Sequence, residues 1–114
     1  MPLERSMKLL FICNQNLNRS KTAEDIFKGR FNTKSAGLYN NTPVTARELS
    51  WADVVVVMED GQRSEIAKRF PEIYIHKRIL SLGIPDVYSY GEPELIKILN
   101  GKVQELLEPL VELP

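Results

Sequence analysis

Short apolar runs alternate with helical patterns along most of the chain. Residues 8–13 (KLLFIC) are almost continuously apolar, and residues 53–58 contain four consecutive valines. Such runs are typical of strands covered on both faces of a parallel sheet, where β-branched residues also favour extended backbone. Two weaker segments, 31–36 and 74–82, are predicted to be further strands. The pattern therefore predicts four strands.

Helical patterns fill the intervals between these strands and follow the last one. They are predicted at 20–30, from an N-cap at Thr42 onward, from an N-cap at Asp60 to residue 70, and from Pro93 to about Pro109. Strand and helix thus alternate throughout, which favours an α/β fold with a parallel sheet. Ligands of such sheets bind at the carboxyl ends of the strands, in the loops that lead into helices.

Length and composition limit the classes of protein that fit this pattern. The chain has 114 residues, enough for one domain, and its 43% hydrophobic and 26% charged residues are ordinary for a soluble protein. Fifteen basic residues balance fifteen acidic ones, which argues against binding nucleic acid or a membrane through the overall charge. One cysteine and one histidine exclude a disulfide scaffold and a zinc site built from these residues.

The start of the chain lacks the features of a targeting segment. Regular pattern begins after Met7, so residues 1–6 are predicted to be a loose extension and residues 7–114 the domain. No apolar run suits a signal peptide or a membrane span. We expect a cytoplasmic protein in a reducing compartment, where a free thiol persists.

The loop after the first predicted strand holds the only cysteine. Cys13 ends a buried run, and Arg19 and Ser20 follow at the start of a helix. Backbone amides and a helix N-terminus form an anion site there, and the same field stabilises a thiolate. The planar guanidinium of Arg19 can hold two phosphate oxygens, and the Ser20 hydroxyl can donate a hydrogen bond to the sulfur. Cys13 could instead simply end a core strand, but the strand–loop–helix context favours a nucleophile. The predicted phosphate-binding residues are Asn14, Gln15, Asn16, Leu17, Asn18, Arg19 and Ser20.

On these residues the sequence resembles the low-molecular-weight protein tyrosine phosphatases. The similarity covers roughly residues 7–108 and rests on Cys13-x5-Arg19-Ser20, Thr22-Ala23-Glu24, Ser35-Ala36-Gly37 and the 53–58 run that ends in Met. The resemblance implies one three-layer domain, a four-stranded parallel sheet of order 2-1-3-4 with helices on both faces. It also implies a phosphocysteine mechanism that needs no metal or cofactor, and an Asn16 that braces the loop.

The loop departs from the family pattern at two positions. Gln15 stands where the family usually has glycine, and Asn18 stands where many members have a second cysteine. Without that cysteine an oxidised Cys13 would have to be rescued by an external thiol.

The resemblance also implies a general acid in the segment 83–91, which should lie at the same rim as Cys13. Asp86 is the aspartate of this segment, with Val87 where the family usually has proline and Tyr88 in the aromatic place. The other aspartates are explained by structural roles. We predict Cys13, Arg19 and Asp86 as catalytic residues, and Tyr39 and Tyr88 as walls for a flat aromatic ring. The single histidine, His76, is given no role.

The expected function is hydrolysis of phosphotyrosine or aryl phosphate monoesters. Two alternatives remain open: a non-catalytic module that binds phosphate or phosphopeptides, and an arsenate reductase that relies on an external thiol. A sugar phosphotransfer subunit has a similar cysteine loop but no arginine at the position of Arg19. We expect a protein or small-molecule substrate and a monomer or weak homodimer, with the apolar tail 106–114 able to cover a partner.

Overall fold

The computed structural model describes residues 7–111, so the predicted loose extension 1–6 lies outside the described residues, as does the end of the apolar tail. Within the described range, four parallel strands form one sheet in the order β2-β1-β3-β4. The strands are β1 (Lys8–Cys13), β2 (Asn32–Gly37), β3 (Val54–Val57) and β4 (Arg78–Ser81). Strand order, direction and number are those that the family resemblance implied.

Six helical segments connect or follow the strands within the same range. They are α1 (Arg19–Phe27), α2 (Ala46–Trp51), α3 (Asp60–Arg69), α4 (Pro71–His76), α5 (Pro93–Leu106) and α6 (Glu108–Val111). None of these helices is long and apolar enough to cross a membrane.

Alternate side chains of β1 and β3 enter two separate apolar cores. One face packs against α1 and α5, with Leu9, Phe11, Val54, Val56, Phe27, Leu95 and Leu99 buried together. The other face packs against α2 and α3, with Leu10, Ile12, Val55, Val57, Leu49 and Ile66. Burying each of these large apolar side chains stabilises the fold by about 1.5–3 kcal/mol. The three-layer prediction is thereby confirmed.

The register aligns the carboxyl ends of the strands. Cys13 pairs with Gly37, Ile12 with Val57, and Val57 with Ser81. The loops that follow β1, β3 and β4 therefore open at one edge of the sheet.

The largest error of the sequence prediction concerns residues 74–76, which are helical and not part of a strand. Pro71 both ends α3 and starts α4 at its first turn, where its missing N–H is harmless. Ile73 and Tyr74 pack on the core while Ile75 is 74% exposed. The isoleucines and tyrosine of this segment suit a strand equally well, which explains the error. His76 is the last residue of α4.

Helix boundaries were also misplaced at three points. Thr45, and not Thr42, is the N-cap of α2, because Thr45 and Glu48 form a capping box. Asp60 is the first residue of α3, whose N-cap is Glu59. Helix α5 ends at Leu106, and Pro109 lies inside α6. The boundaries of α1 and β2 differ from the prediction by one to three residues, which is common at element ends.

Candidate active site

The sulfur of Cys13 lies at the floor of the loop between β1 and α1. The residue is buried, 3% exposed. Its Sγ is 2.9 Å from Ser20 Oγ, and it accepts a hydrogen bond of 3.2 Å from the backbone N–H of Asn16. Both contacts place hydrogen-bonding groups where they can stabilise a thiolate.

Asn16 gives the loop its turn. It has a left-handed backbone with φ of 56°, which asparagine tolerates better than most residues. Its Oδ1 accepts a hydrogen bond of 2.8 Å from Ser20 Oγ. Ser20 has a single hydroxyl proton, which serves Asn16 or Cys13 but not both at once. A thiol can donate to Ser20, whereas a thiolate can only accept, so ionisation of Cys13 would draw this proton to the sulfur.

The outer side of the loop is held by the two residues that follow β2 and by α3. The Asn14 carbonyl accepts hydrogen bonds from the N–H groups of Leu38 (3.0 Å) and Tyr39 (2.9 Å). A Cβ on Gly37 would lie 3.0 Å from this carbonyl oxygen, so glycine permits the close approach. The Asn14 side chain accepts from Gln62 Nε2 at 3.1 Å. Asn14 therefore braces the loop from outside.

Arg19 is almost completely buried, with 1% of its surface exposed. Its Nη1 donates to Glu59 Oε1 at 2.5 Å and to the Ile84 carbonyl at 2.8 Å. Its buried Nε has no hydrogen-bond partner among the described residues, although Asp86 Oδ1 lies 3.6 Å away. One guanidinium thus faces two carboxylates, and its Nε points toward Asp86 without a hydrogen bond among the described residues.

A cavity of about 230 Å³ opens above the sulfur. It is lined by Cys13, Gln15, Leu17, Asn18, Arg19 and Asp86. Leu17 is 66% exposed, which adds apolar surface to the lining. The Asp86 side chain is 57% exposed. The structure therefore brings the three predicted catalytic residues around one space.

Other predicted site residues do not line this cavity. Asn14, Asn16 and Ser20 brace the loop, as described above. The guanidinium of Arg69 lies over the Tyr39 ring, with its Cζ 5.0 Å from the ring centroid. Tyr88 packs against the apolar core. Neither tyrosine lines the cavity, so the aromatic slot formed by Tyr39 and Tyr88 stays a prediction.

Two residues of the site escaped the sequence analysis. Glu59 holds Arg19, and the nearly buried Gln62 accepts hydrogen bonds at its Oε1 from the N–H groups of Met58 (2.8 Å) and Glu59 (3.0 Å). Both follow β3 directly, at the same edge as Cys13. Their position after the clearest predicted strand was the available signal.

The described residues 7–111 contain no group of three or more His, Cys, Asp or Glu side chains that could hold a metal ion. The groups that face the cavity are a thiol, a guanidinium, a carboxylate and amides. They suit an oxyanion ligand.

Comparison with known proteins identifies the fold. No protein-family model matches the sequence, and no curated protein matches it. Among solved structures, a protein tyrosine phosphatase from Entamoeba histolytica is 25% identical; the alignment covers 94% of this chain and 98% of that one, with a TM-score of 0.71. A low molecular weight protein tyrosine phosphatase from T. tengcongensis is 23% identical over 91% and 99%, with a TM-score of 0.73. The YwlE arginine phosphatase from Geobacillus stearothermophilus is 21% identical over 93% and 88%, with a TM-score of 0.62. The chain has the fold of the low-molecular-weight phosphatases.

Proposed function

We propose that this chain is a cysteine-dependent phosphatase that hydrolyses phosphotyrosine or aryl phosphate monoesters through a phosphocysteine intermediate. One observation carries the proposal: the buried Cys13 sulfur lies below a cavity whose lining includes both Arg19 and Asp86. The fold adds support, since the similar structures are described as tyrosine and arginine phosphatases.

In the first step the Cys13 thiolate attacks phosphorus. The S–P bond forms, the P–O bond to the phenol breaks, and its electron pair passes to the phenol oxygen. Asp86, acting as general acid, gives that oxygen a proton. Arg19 and the loop amides hold the phosphoryl oxygens as charge develops on them.

In the second step a water molecule attacks the phosphocysteine. The new O–P bond replaces the S–P bond, and Asp86, now a carboxylate, takes the proton of the water. Cys13 leaves as a thiolate, which the Ser20 hydroxyl and the Asn16 N–H stabilise at the contacts described above. Orthophosphate is released and the site returns to its starting state.

The apolar surface at the site favours an aryl leaving group. Leu17 lines the cavity with two-thirds of its surface exposed, and Val87, next to Asp86, is 71% exposed. Exposed apolar side chains beside a polar pocket suit a ring that is apolar on its faces and polar at one oxygen.

We place this activity in the cytoplasm, because the proposed nucleophile must remain reduced and the chain has no second cysteine to protect it. The substrate is a phosphotyrosine protein or a small aryl phosphate.

The test compares wild type, Cys13→Ser and Arg19→Lys with an aryl phosphate as substrate and orthophosphate as ligand. Wild type should turn over and should yield a phosphorylated chain, detectable by mass spectrometry after rapid acid denaturation. Cys13→Ser should lose turnover and still bind orthophosphate. Arg19→Lys should lose about 10²–10³-fold in kcat, because lysine lacks the planar guanidinium that holds two phosphoryl oxygens in the transition state.

Circular dichroism of each variant separates a chemical loss from a failure to fold. Orthophosphate binding by a wild type that never hydrolyses the ester would favour a non-catalytic binding module. Full turnover by Cys13→Ser would remove the cysteine from the mechanism.

A further inference from the structure

Asn18 occupies the N-cap position of α1 without capping the helix. An asparagine there usually accepts a hydrogen bond from an N–H of the first helical turn. In this chain Asn18 has φ of −116° and ψ of −74°, and its side chain makes no cap hydrogen bond in the described structure. Its Oδ1 instead accepts a bond of 3.1 Å from the backbone N–H of Tyr90, 72 positions away along the chain.

This bond is one of several that hold the segment 84–91, here called the acid loop. The next N–H, that of Gly91, donates to the buried Thr22 Oγ1 at 3.0 Å. Gly91 has φ of 72°, a conformation that favours glycine. Successive N–H groups of the acid loop therefore both reach side chains at the start of α1.

The other end of the acid loop is fixed by Arg19. The Ile84 carbonyl accepts a hydrogen bond of 2.8 Å from Arg19 Nη1, and Ile84 itself is fully buried. Asp86 lies between the two anchors and is exposed. Its position over the cavity therefore depends on these two anchors as well as on its own ion pair with Arg19 Nε at 3.6 Å.

We propose that Asn18 is a positioning residue that holds the acid loop against the phosphate loop (residues 13–20), so that protonation of the leaving group by Asp86 depends on the Asn18–Tyr90 hydrogen bond. This inference rests on the proposed function. Asn18 acts through Asp86, because its oxygen is used by the acid loop and not by the first turn of α1.

The kinetic test replaces Asn18 by leucine, which has a similar volume and no acceptor. Substrates are phenyl phosphate, a poor leaving group that needs the acid, and dinitrophenyl phosphate, a good one that does not. Asn18→Leu should lower kcat about tenfold for phenyl phosphate, a part of the 10²–10⁴ that general acids provide. It should lower kcat for dinitrophenyl phosphate by a much smaller factor.

A double-mutant cycle tests the route through Asp86. In an Asp86→Asn background, Asn18→Leu should have no further effect on phenyl phosphate. Tyr90→Phe is the matched control, since it removes the phenol contact with Asp25 but keeps the N–H that Asn18 accepts. Equal losses for both substrates, or no loss, would overturn the proposal.

A second readout does not depend on activity. Amide exchange followed by NMR should show slow exchange of the backbone N–H at position 90 in wild type and in Tyr90→Phe. The same N–H should exchange faster in Asn18→Leu. Unchanged exchange overturns the positioning role. A wild type that hydrolyses neither ester, with faster exchange in Asn18→Leu, would overturn the proposed function and keep the loop contact.

Discussion

The phosphate loop 13–20 and the acid loop 84–91 meet at one cavity but are built differently. The first contains the buried side chains of Cys13, Arg19 and Ser20 and is held by bonds within itself, to the residues that follow β2 and to α3. The second exposes Asp86, Val87 and Tyr90, and two of its anchors are side chains of the phosphate loop. In the proposed mechanism, anion binding therefore belongs to the core, whereas leaving-group protonation depends on an exposed segment.

If this contrast is correct, changes in the acid loop should alter how the rate depends on the leaving group and should spare binding. Changes around Arg19 should alter binding itself. Substitutions in the acid loop and around Arg19 test this division.

Asp86→Asn should produce the largest difference between the effects on the two esters. We expect kcat for phenyl phosphate to fall about 10²–10³-fold, because the proton donor is lost, and kcat for dinitrophenyl phosphate to fall far less. Orthophosphate inhibition should persist, since the carboxylate does not bind the anion. An equal loss with both esters would show that Asp86 serves the phosphate loop, and the two regions would not be functionally distinct.

Glu59→Gln should change the affinity for orthophosphate. It should not change how kcat depends on the leaving group. Glu59 holds Arg19 at 2.5 Å, and its side chain is 43% exposed, so solvent screens its charge in part. Removing one negative charge beside an incoming phosphate should tighten orthophosphate inhibition about three- to tenfold, corresponding to roughly 1 kcal/mol at these distances.

Glu65→Gln is the control for Glu59, because Glu65 lies on the same helix and forms a part-buried ion pair with Arg69 instead of Arg19. It should leave inhibition unchanged. Weaker orthophosphate binding in Glu59→Gln would mean instead that Glu59 holds Arg19 in the orientation that binds the anion.

The smallest effect concerns Tyr90. The hydrogen bond that its phenol donates to Asp25, with partial burial and the Asp25 charge, raises the pKa of Tyr90 above its ordinary value. The neutral phenol is thus favoured in the fold, so this stabilisation is present below the pKa of the unfolded chain and is lost as pH rises through the folded pKa.

Absorbance titration should show this delayed ionisation as the difference between wild type and Tyr90→Phe. Asp25→Asn should shift it back toward the ordinary range. A Tyr90 that titrates like a free tyrosine would mean that the phenol is not hydrogen-bonded to Asp25.

The sequence predicts those parts of the fold whose residues are compatible with only one type of secondary structure. The continuous apolar runs of β1 and β3 predict buried strands, and both lie within one residue of their expected bounds. Residues 74–76 were misassigned because isoleucine and tyrosine suit strand and helix alike, and Pro71 ends one helix while starting another. A short segment of this kind is decided by tertiary packing.

The site divides in a similar way. Cys13 and Arg19 share one short loop, so their spacing alone predicts that they meet. Glu59 and Gln62 were missed because their contacts join residues 40 and 48 positions apart, across the sheet edge. The directions of the Tyr39 and Tyr88 rings were not predictable, since loop backbone and not periodicity sets them.

The burial of Arg19 has a consequence for how this protein can be engineered. Arg19 is among the largest fully buried side chains, and its Nε has no hydrogen-bond partner among the described residues. Withdrawing this charge from water costs stability, and its hydrogen bonds to Glu59 and to the Ile84 carbonyl offset part of that cost. Selection of variants for heat resistance alone therefore does not guarantee that arginine is retained at position 19. A screen for robust variants needs to select for anion capture at the same time, so that it keeps the residue on which the proposed chemistry depends.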